Sequence, residues 1–384
     1  MGGSIAGEIR ARLEARRQEM VDLLAEWVSI ESGSDDPAGL AEMAGRLEQR
    51  FGELGTLTRH PLGPEGAPHL SLTVPGAEPE SAPVVVLGHY DTVWARGTLS
   101  RMPLRIEDGI LTGPGSFDMK SGLVLLLYAL RELEAQGRAP RRQVRILLSC
   151  DEEVSSRTSR ELIETAATGA AAAFVLESPL PGGALKTVRK GIATYRLAIG
   201  GRAAHAGIEP DKGASAIVEL AHQVQALHRL NDRERGTTVN VGVVRGGSRP
   251  NVVAAHAEAE IDVRVATAAE ASRVEQAITG LFPAVTGTTL TVRVEASRPP
   301  MESTPASRQL FAHARAIAAG MGAGDLGEGS TGGASDANLV AAMGVPTLDG
   351  LGPEGGGAHA DHEHVLIESM PRRAALIAGL LSEV

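Results

Sequence analysis

Arg141-Arg142-Gln143-Val144-Arg145-Ile146-Leu147-Leu148-Ser149 runs straight into Cys150-Asp151-Glu152-Glu153. The first nine residues have the apolar centre and bounded ends of a strand. Two adjacent carboxylates at the end of a buried strand are costly unless a cation compensates them. Neighbours in an extended segment face opposite sides, so one of Glu152 and Glu153 could bind a metal while the other handles protons. The competing reading is a solvated turn that carries two surface acids.

Other segments bear on that choice. Residues 83–88, Pro-Val-Val-Val-Leu-Gly, read as a fully buried strand of the kind found in parallel sheets. It leads into His89-Tyr90-Asp91-Thr92-Val93, where His89 and Asp91, two apart, share a side of an extended chain. A ligating imidazole commonly has a carboxylate behind its second nitrogen or near the metal; the plainer alternative is a hydrogen-bonded loop. In residues 111–122 no Lys-Ser/Thr follows the glycines at Walker spacing, and the third glycine of a dinucleotide fingerprint is missing. That leaves a tight turn presenting Asp118 ahead of a helix over 120–136, with a helix cap as the other role open to Asp118. Residues 171–176 form another buried strand, ending in Glu177. Open α/β sheets gather ligand sites at the carboxyl ends of their strands. Three strand ends and the Asp118 turn therefore converge on a metal reading.

The remaining pattern sets the architecture. Helices are expected over 9–30, 38–54 and 157–168, and a short strand over 70–74. From residue 190 the order becomes strand 192–200, helix 213–229, strands 238–244 and 254–265, helix 269–281 and strand 289–294. This is the β-α-β-β-α-β order of a ferredoxin-like unit. We read it as a domain inserted over 189–298 in an α/β domain made of 1–188 and 299–384, whose mostly parallel sheet has helices on both faces. Within the insert His205, Asn251 and Arg264 stand out, although ordinary loop and strand-edge polarity would also account for them. After Pro299-Pro300 come a helix over 307–321, the glycine-rich loop 329–336 leading into a helix over 337–343, and a strand over 345–348. Ala358-His359-Ala360-Asp361-His362-Glu363-His364 follows, either a metal tract or a solvated loop, and a helix over 370–381 closes the chain.

Composition narrows the function classes. The chain has 384 residues, which suggests about two domains. Its net charge of -10, without a basic run, argues against a nucleic-acid partner. Aromatic residues make up only 3%, too few for a stacking surface. Cys150 is the single cysteine, which excludes an intramolecular disulfide and a cysteine-based zinc site. No apolar run is long enough to span a membrane. Residues 1–20 carry charge throughout with no apolar core, so no signal peptide and a cytoplasmic location are expected.

Taken in order, Gly88 to Val93, Gly113-Pro114-Gly115 with Asp118-Met119-Lys120, Asp151-Glu152-Glu153, Glu177, the inserted domain and Ala358-His359 resemble the zinc aminoacylase and carboxypeptidase family. That family includes glutamate carboxypeptidase of the carboxypeptidase G type, acetylornithine deacetylase and succinyl-diaminopimelate desuccinylase. Thr331-Gly332-Gly333, Asp336 and Gly350-Leu351-Gly352-Pro353 look closest to the glutamate carboxypeptidase branch. The resemblance implies two zinc ions sharing Asp118, one taking His89 and Glu177 and the other Glu153 and His359. Asp91 would support His89, and Glu152 would be the general base and then the general acid. Imidazole and carboxylate donors also admit cobalt or manganese. His362 and His364 fit the pattern less well and are read as bystanders. The resemblance further implies that the insert closes over the site and forms a homodimer. His205 would reach the neighbouring subunit's site and stabilise the oxyanion, while Arg264 and Asn251 would bind a substrate carboxylate. The implied activity is hydrolysis of an amide or peptide bond that releases a C-terminal amino acid, with glutamate the candidate. An N-acyl-amino-acid deacylase is the alternative, and a catalytically silent ligand-binding relative a third.

Overall fold

The computed structural model describes residues 5–62, 66–322 and 324–384. The absent-leader expectation for 1–20 falls in part on residues 1–4, outside those described. No helix among the described residues is long and apolar enough to cross a membrane. The chain divides into two compact units. One runs to Val188 and resumes over Ser303–Ser330 and Ser335–Val384; the other comprises Arg189–Glu302 and Thr331–Ala334.

The first unit is built on a six-stranded sheet. Its spatial order is Thr56–His60, His69–Val74, Val144–Ser149, Val84–His89, Ala172–Val175, Thr347–Leu348. The last four strands are mutually parallel, and His69–Val74 is antiparallel to both of its neighbours. Val84–His89 and Ala172–Val175 are buried throughout, as expected of strands covered on both faces. Val84, Val86, Ile146 and Phe174 join the core that also holds helices Ser121–Ala135 and Ser369–Glu383. The intervening Val85, Leu87, Leu147 and Val175 are equally buried, and helices Arg160–Ala167 and Asp336–Ala342 pack on these strands. Fully burying one such side chain contributes roughly 1.5–3 kcal/mol, so both faces hold the sheet. From Val84–His89 the chain moves first to the strand on one side and then to the strand on the other. The carboxyl end of Val84–His89 is therefore the point where strand order reverses, the place where open sheets form a crevice.

Several elements differ from expectation, among them the unanticipated strands Ile110–Thr112, Leu185–Arg189, Glu328–Thr331 and His364–Leu366, which pair outside the main sheet. The helix expected over 9–30 is two helices, Ile5–Ala15 and Arg17–Val28, broken at Arg16. Arg12 and Arg16 each donate at 2.6 Å to the carboxylate of Glu132, which is fully buried, and the chain bends where both cations reach one acid. Strand Thr56–His60 was not anticipated; it is polar and largely exposed, so it lacks the apolar alternation that announces a strand.

The second unit has a four-stranded antiparallel sheet in the order Thr238–Gly246, His256–Val265, Gly191–Gly200, Thr289–Arg298. Helices Ala216–His228 and Ala268–Thr279 pack on it, giving the ferredoxin-like arrangement. Tyr195, Leu197, Ile199, Ala257, Ala259 and Ile261 alternate into the core under the helices. Arg196, Arg245, Glu258 and Glu260 occupy intervening positions, and Arg245 pairs with both glutamates.

Candidate metal centre

His89 ends the central buried strand and is 2% exposed. Its Nδ1 lies 3.0 Å from the Asp91 carbonyl oxygen and 3.4 Å from Asp91 Oδ1. A carbonyl only accepts, so Nδ1 is the donor, and in the neutral ring Nε2 then offers a lone pair. The Asp91 carboxylate does more than back the histidine. It accepts the backbone N–H of Glu152 and of Glu153, each at 3.2 Å, and the hydroxyl of Ser34 at 2.8 Å. Those two N–H groups open a short 3-10 turn over Glu152–Val154, which the Ser155 N–H closes on the Glu152 carbonyl at 2.9 Å. The extended segment expected there is corrected accordingly: a turn, not the pleat of a strand, sends the two glutamates to different neighbours.

Asp118 lies in the turn Ser116–Lys120 with φ −121° and ψ 96°, and the peptide bond to Met119 is cis. It does not cap the next helix, which is flanked by Lys120 and has no side-chain cap. Instead its two oxygens each face one histidine: Oδ1 is 3.3 Å from His89 Nε2, and Oδ2 is 3.2 Å from His359 Nε2. Glu177, two residues beyond strand Ala172–Val175, brings Oε1 within 3.7 Å of His89 Nε2. Glu153 brings Oε2 within 3.3 Å of His359 Nε2. The donors of His89, Glu152 and Glu177 lie within 4.8 Å of one another, as do those of His89, Asp118 and Glu153. His359 sits at φ 61°, and its side chain is 52% exposed, so the cluster is open on that side.

This arrangement fits divalent cations. Bonds of about 2.0–2.2 Å in a tetrahedral shell put neighbouring donors about 3.3–3.6 Å apart, close to the 3.2–3.7 Å spacings here. His89 Nε2, Asp118 Oδ1 and Glu153 Oε1 are buried with no aligned hydrogen bond. Electrostatics point the same way. Burial works against a charged His89, yet the carboxylates of Asp118 and Asp91 outweigh it and raise its pKa well above the usual value. Burial also pushes Asp118 upward, but His359 and His89 hold it well below the usual carboxylate range. Asp118 and Glu153 together raise His359 to about 10. Burial raises Glu153. A cluster this rich in carboxylate draws protons onto its histidines, and a metal cation would meet the same demand.

The structure thus brings together His89, Asp91, Asp118, Glu152, Glu153, Glu177 and His359. His362 and His364 stay apart from them; His364 Nδ1 bonds the His362 carbonyl. In the second unit His205 bridges to Val252, and its Nδ1 accepts the Gly207 N–H, while the Asn251 carbonyl accepts the Ala206 N–H. Arg264 is gripped by Asp262 of its own strand, Nε to Oδ1 at 2.9 Å and Nη2 to Oδ2 at 3.0 Å.

Sequence reasoning missed Glu363, Lys120 and Ser34. Lys120 is fully buried and donates from Nζ to the carbonyls of Trp27 and Ile30, and burial lowers its pKa to about 7. Glu363 is fully buried too, and burial raises its pKa against the pull of four N–H donors. An acid four residues after a candidate ligand was the only signal for it, and that pattern says nothing of burial.

A model described as peptidase family M20/M25/M40 matches residues 85–383. Carboxypeptidase G2 of Pseudomonas sp. (strain RS-16) is 30% identical over 375 residues, covering 95% of this chain and 89% of that protein. Acetylornithine deacetylase of Myxococcus xanthus is 32% identical over 190 residues, 45% of this chain and 47% of that protein. Among solved structures, an aminopeptidase of Bacillus cereus shares the fold, with a TM-score of 0.75 over 96% of this chain and 98% of that one, at 23% identity.

Proposed function

Because the chain belongs to peptidase family M20/M25/M40 and is a hydrolase of amide or peptide bonds, we propose that it releases a C-terminal amino acid, with glutamate the candidate, from a small peptide or N-acyl amino acid. One observation carries the metal-dependent form of this reading: Asp118 turns one oxygen to His89 and the other to His359. On it we assign Asp118 as the shared ligand of two divalent cations, zinc foremost, with cobalt or manganese admitted by the same donors. His89 and Glu177 would complete one position, Glu153 and His359 the other. When bound, such a pair supplies Lewis-acid activation of water and of the scissile carbonyl.

The chain's own residues do the rest. The Glu152 carboxylate takes a proton from the attacking water and delivers it to the amide nitrogen, a poor leaving group until protonated. Asp91 keeps Glu152 in place through the backbone N–H it accepts, and holds the His89 ring from the Nδ1 side. We assign Arg264 and Asn251 to the substrate carboxylate and His205 to the oxyanion of a neighbouring subunit's site, on the family resemblance. Asp262, which grips Nε and Nη2 of Arg264, would orient that guanidinium.

The segment 189–298 is proposed as a lid and dimerisation domain. Thr238–Gly246 is an edge strand with Val243 and Val244 exposed, and Ile217 and Val218 on the adjoining helix are exposed as well. An unpaired edge beside apolar side chains supports a second copy of this chain as partner. A lone, buried, unpaired Cys150 is consistent with the cytoplasm, which we propose as its location.

An N-acyl-amino-acid deacylase is the second reading, favoured by the likeness to acetylornithine deacetylase over 45% of the chain. The deciding experiment measures amino-acid release by the zinc-loaded protein, with a chelated control. The panel pairs N-acyl amino acids with C-terminal-glutamate peptides and aryl amides of glutamate. Chelator-sensitive glutamate release from peptides or aryl amides supports the first reading; preference for short acyl groups moves the assignment to the second. No release by protein carrying two metal equivalents overturns both.

A further inference from the structure

The carboxylate of Glu363 touches neither histidine of the cluster, yet it is fully buried, and three of the four N–H groups it accepts come from the Asp118 turn and its approach, the fourth from Trp94 on the segment after His89. Oε1 accepts the backbone N–H of Phe117 at 2.8 Å and of Asp118 at 2.9 Å. Oε2 accepts the backbone N–H of Gly115 at 2.9 Å and the Trp94 indole N–H at 2.8 Å. The main chain adds a further tie, Gly113 N–H to the Glu363 carbonyl at 3.3 Å. Both oxygens act only as acceptors, each of two donors, which is the bonding of an ionised carboxylate. Glu363 also belongs to the loop that carries His359. Its own N–H bonds the Ala360 carbonyl at 2.9 Å, and the Ala360 N–H bonds the Gly357 carbonyl at 2.9 Å. This one side chain therefore ties together two segments nearly 250 residues apart in sequence, whose functional atoms, Asp118 Oδ2 and His359 Nε2, stand 3.2 Å apart.

We propose that Glu363 is a positioning residue: by gathering the N–H groups of Gly115, Phe117 and Asp118 it fixes where the shared carboxylate stands against His359. The inference rests on the reading of Asp118 and His359 as metal ligands. Its consequence is unequal for the two metal positions. The His359 position takes two donors from the segments that Glu363 joins, Asp118 and His359. The His89 position takes Asp118 alone from the turn and the His359 loop: Glu363 reaches the His89 segment only through the side chain of Trp94, five residues on, while His89 ends one sheet strand and Glu177 lies just beyond another. Loosening the tie therefore costs the His359 position more.

Glu363→Gln keeps the side-chain shape but turns one oxygen into an NH2 that faces two N–H donors. Metal affinity is read by competition with a chromophoric chelator, and the two positions are told apart by the visible spectrum of the cobalt-loaded protein. His359→Ala supplies the signature of losing the exposed position. Groups that orient a metal ligand typically contribute 10- to 100-fold to metal affinity. Glu363→Gln is expected to bind one equivalent as the wild type does and the second about 10- to 100-fold more weakly, with the His359→Ala signature. Wild-type affinity at both positions overturns the proposal. So does an equal loss at both accompanied by a lower metal-free Tm, the mark of general destabilisation. Should Glu363→Gln fail to fold, Trp94→Phe removes one donor of the four: a weaker loss at the same position supports the inference, and unchanged binding overturns it. If the wild-type protein does not bind two equivalents, or His359→Ala binds as the wild type does, the metal reading itself fails and the proposal falls with it.

Discussion

Asp91→Asn isolates a single buried carboxylate whose two oxygens serve different neighbours. Oδ1 accepts the Glu152 N–H at 3.2 Å and faces His89 Nδ1 at 3.4 Å; Oδ2 accepts the Glu153 N–H at 3.2 Å and the Ser34 hydroxyl at 2.8 Å. Asparagine fills the same space but replaces one oxygen with NH2. Whichever way it flips, one N–H of the Glu152-Glu153 pair then meets a donor. A hydrogen bond to a charged acceptor contributes about 1.5–3 kcal/mol, which corresponds to about 10- to 150-fold in an equilibrium or rate constant. Ser34 can rotate its hydroxyl, so it adds little to that loss. Ser34→Ala alone removes one donor while leaving the carboxylate and is expected to cost about 1 kcal/mol, or about fivefold. The assay is steady-state hydrolysis at saturating zinc together with a competitive metal titration. The expected result is a fall in kcat/KM by the larger factor for Asp91→Asn and by the smaller one for Ser34→Ala. Asp91→Asn with kcat/KM within about twofold of wild type and unchanged metal affinity would refute the argument that this carboxylate sets the glutamate turn.

The other predictions are more direct. Glu152→Gln is expected to keep both metals and lose turnover by about 10²- to 10⁴-fold; near-wild-type turnover with metals in place would remove Glu152 from proton transfer. Zinc held at a hundredfold excess over Kd should stabilise the fold by about 3 kcal/mol, so chelation should lower Tm by about 4–5 °C in calorimetry, and an unchanged Tm would count against a resident metal. Val244→Glu, on the exposed edge strand, should give a monomer in sedimentation with unchanged circular dichroism; a persistent dimer would move the interface elsewhere. Arg264→Ala should raise KM most for substrates with a free C-terminal carboxylate, and an equal effect on blocked substrates would take Arg264 away from that group.

The sheet was legible because its central strands are short apolar runs, and a run such as Val84-Val85-Val86-Leu87 has few other uses. The ferredoxin-like unit was legible from the order of its elements alone, since its strands alternate: Leu197, Ile199, Ala257, Ala259 and Ile261 all point to one core. The approximate place of the site followed from acids and a histidine at strand ends. What sequence did not reveal was how backbone and side chains trade hydrogen bonds there. Asp91 reads as a partner for His89, yet it also turns Glu152 and Glu153, a contact spanning about sixty residues. Arg264 reads, by resemblance, as a binder of a substrate carboxylate, and Asp262, two residues away on the same strand face, already grips it. Helix 9–30 reads as continuous because nothing local marks Arg16 as the point where two arginines converge on Glu132.

Asp91, Asp118, Glu152, Glu153 and Glu177 converge with only two histidines among them, which is a repulsive arrangement. Two carboxylates about 4 Å apart repel by about 4 kcal/mol at an effective dielectric of about 20. Side chains under that pressure would swing apart if their turns were free to follow. The turns are instead fixed by charged groups lying mostly behind the cluster. Glu363 holds the Asp118 turn, and Asp91, itself part of the cluster, holds Glu152 and Glu153. Asp151 ties down the following residues through the N–H of Thr158 at 2.7 Å and the hydroxyl of Ser159 at 2.5 Å. Arg373, fully enclosed, draws in the carbonyls of Gly183 and Gly352, at 2.9 and 2.8 Å, and that of Gly350. The Gly352 N–H in turn bonds the Glu177 carbonyl at 2.8 Å, so this guanidinium acts on the far flank of the cluster. Each of these buried charges spends at least half of its hydrogen bonds on backbone, and backbone position is what a set of mutually repelling carboxylates cannot supply for itself. Such a scaffold would hold the shape of the cluster while His89 and His359 carry protons, and a metal cation bound there would displace those protons.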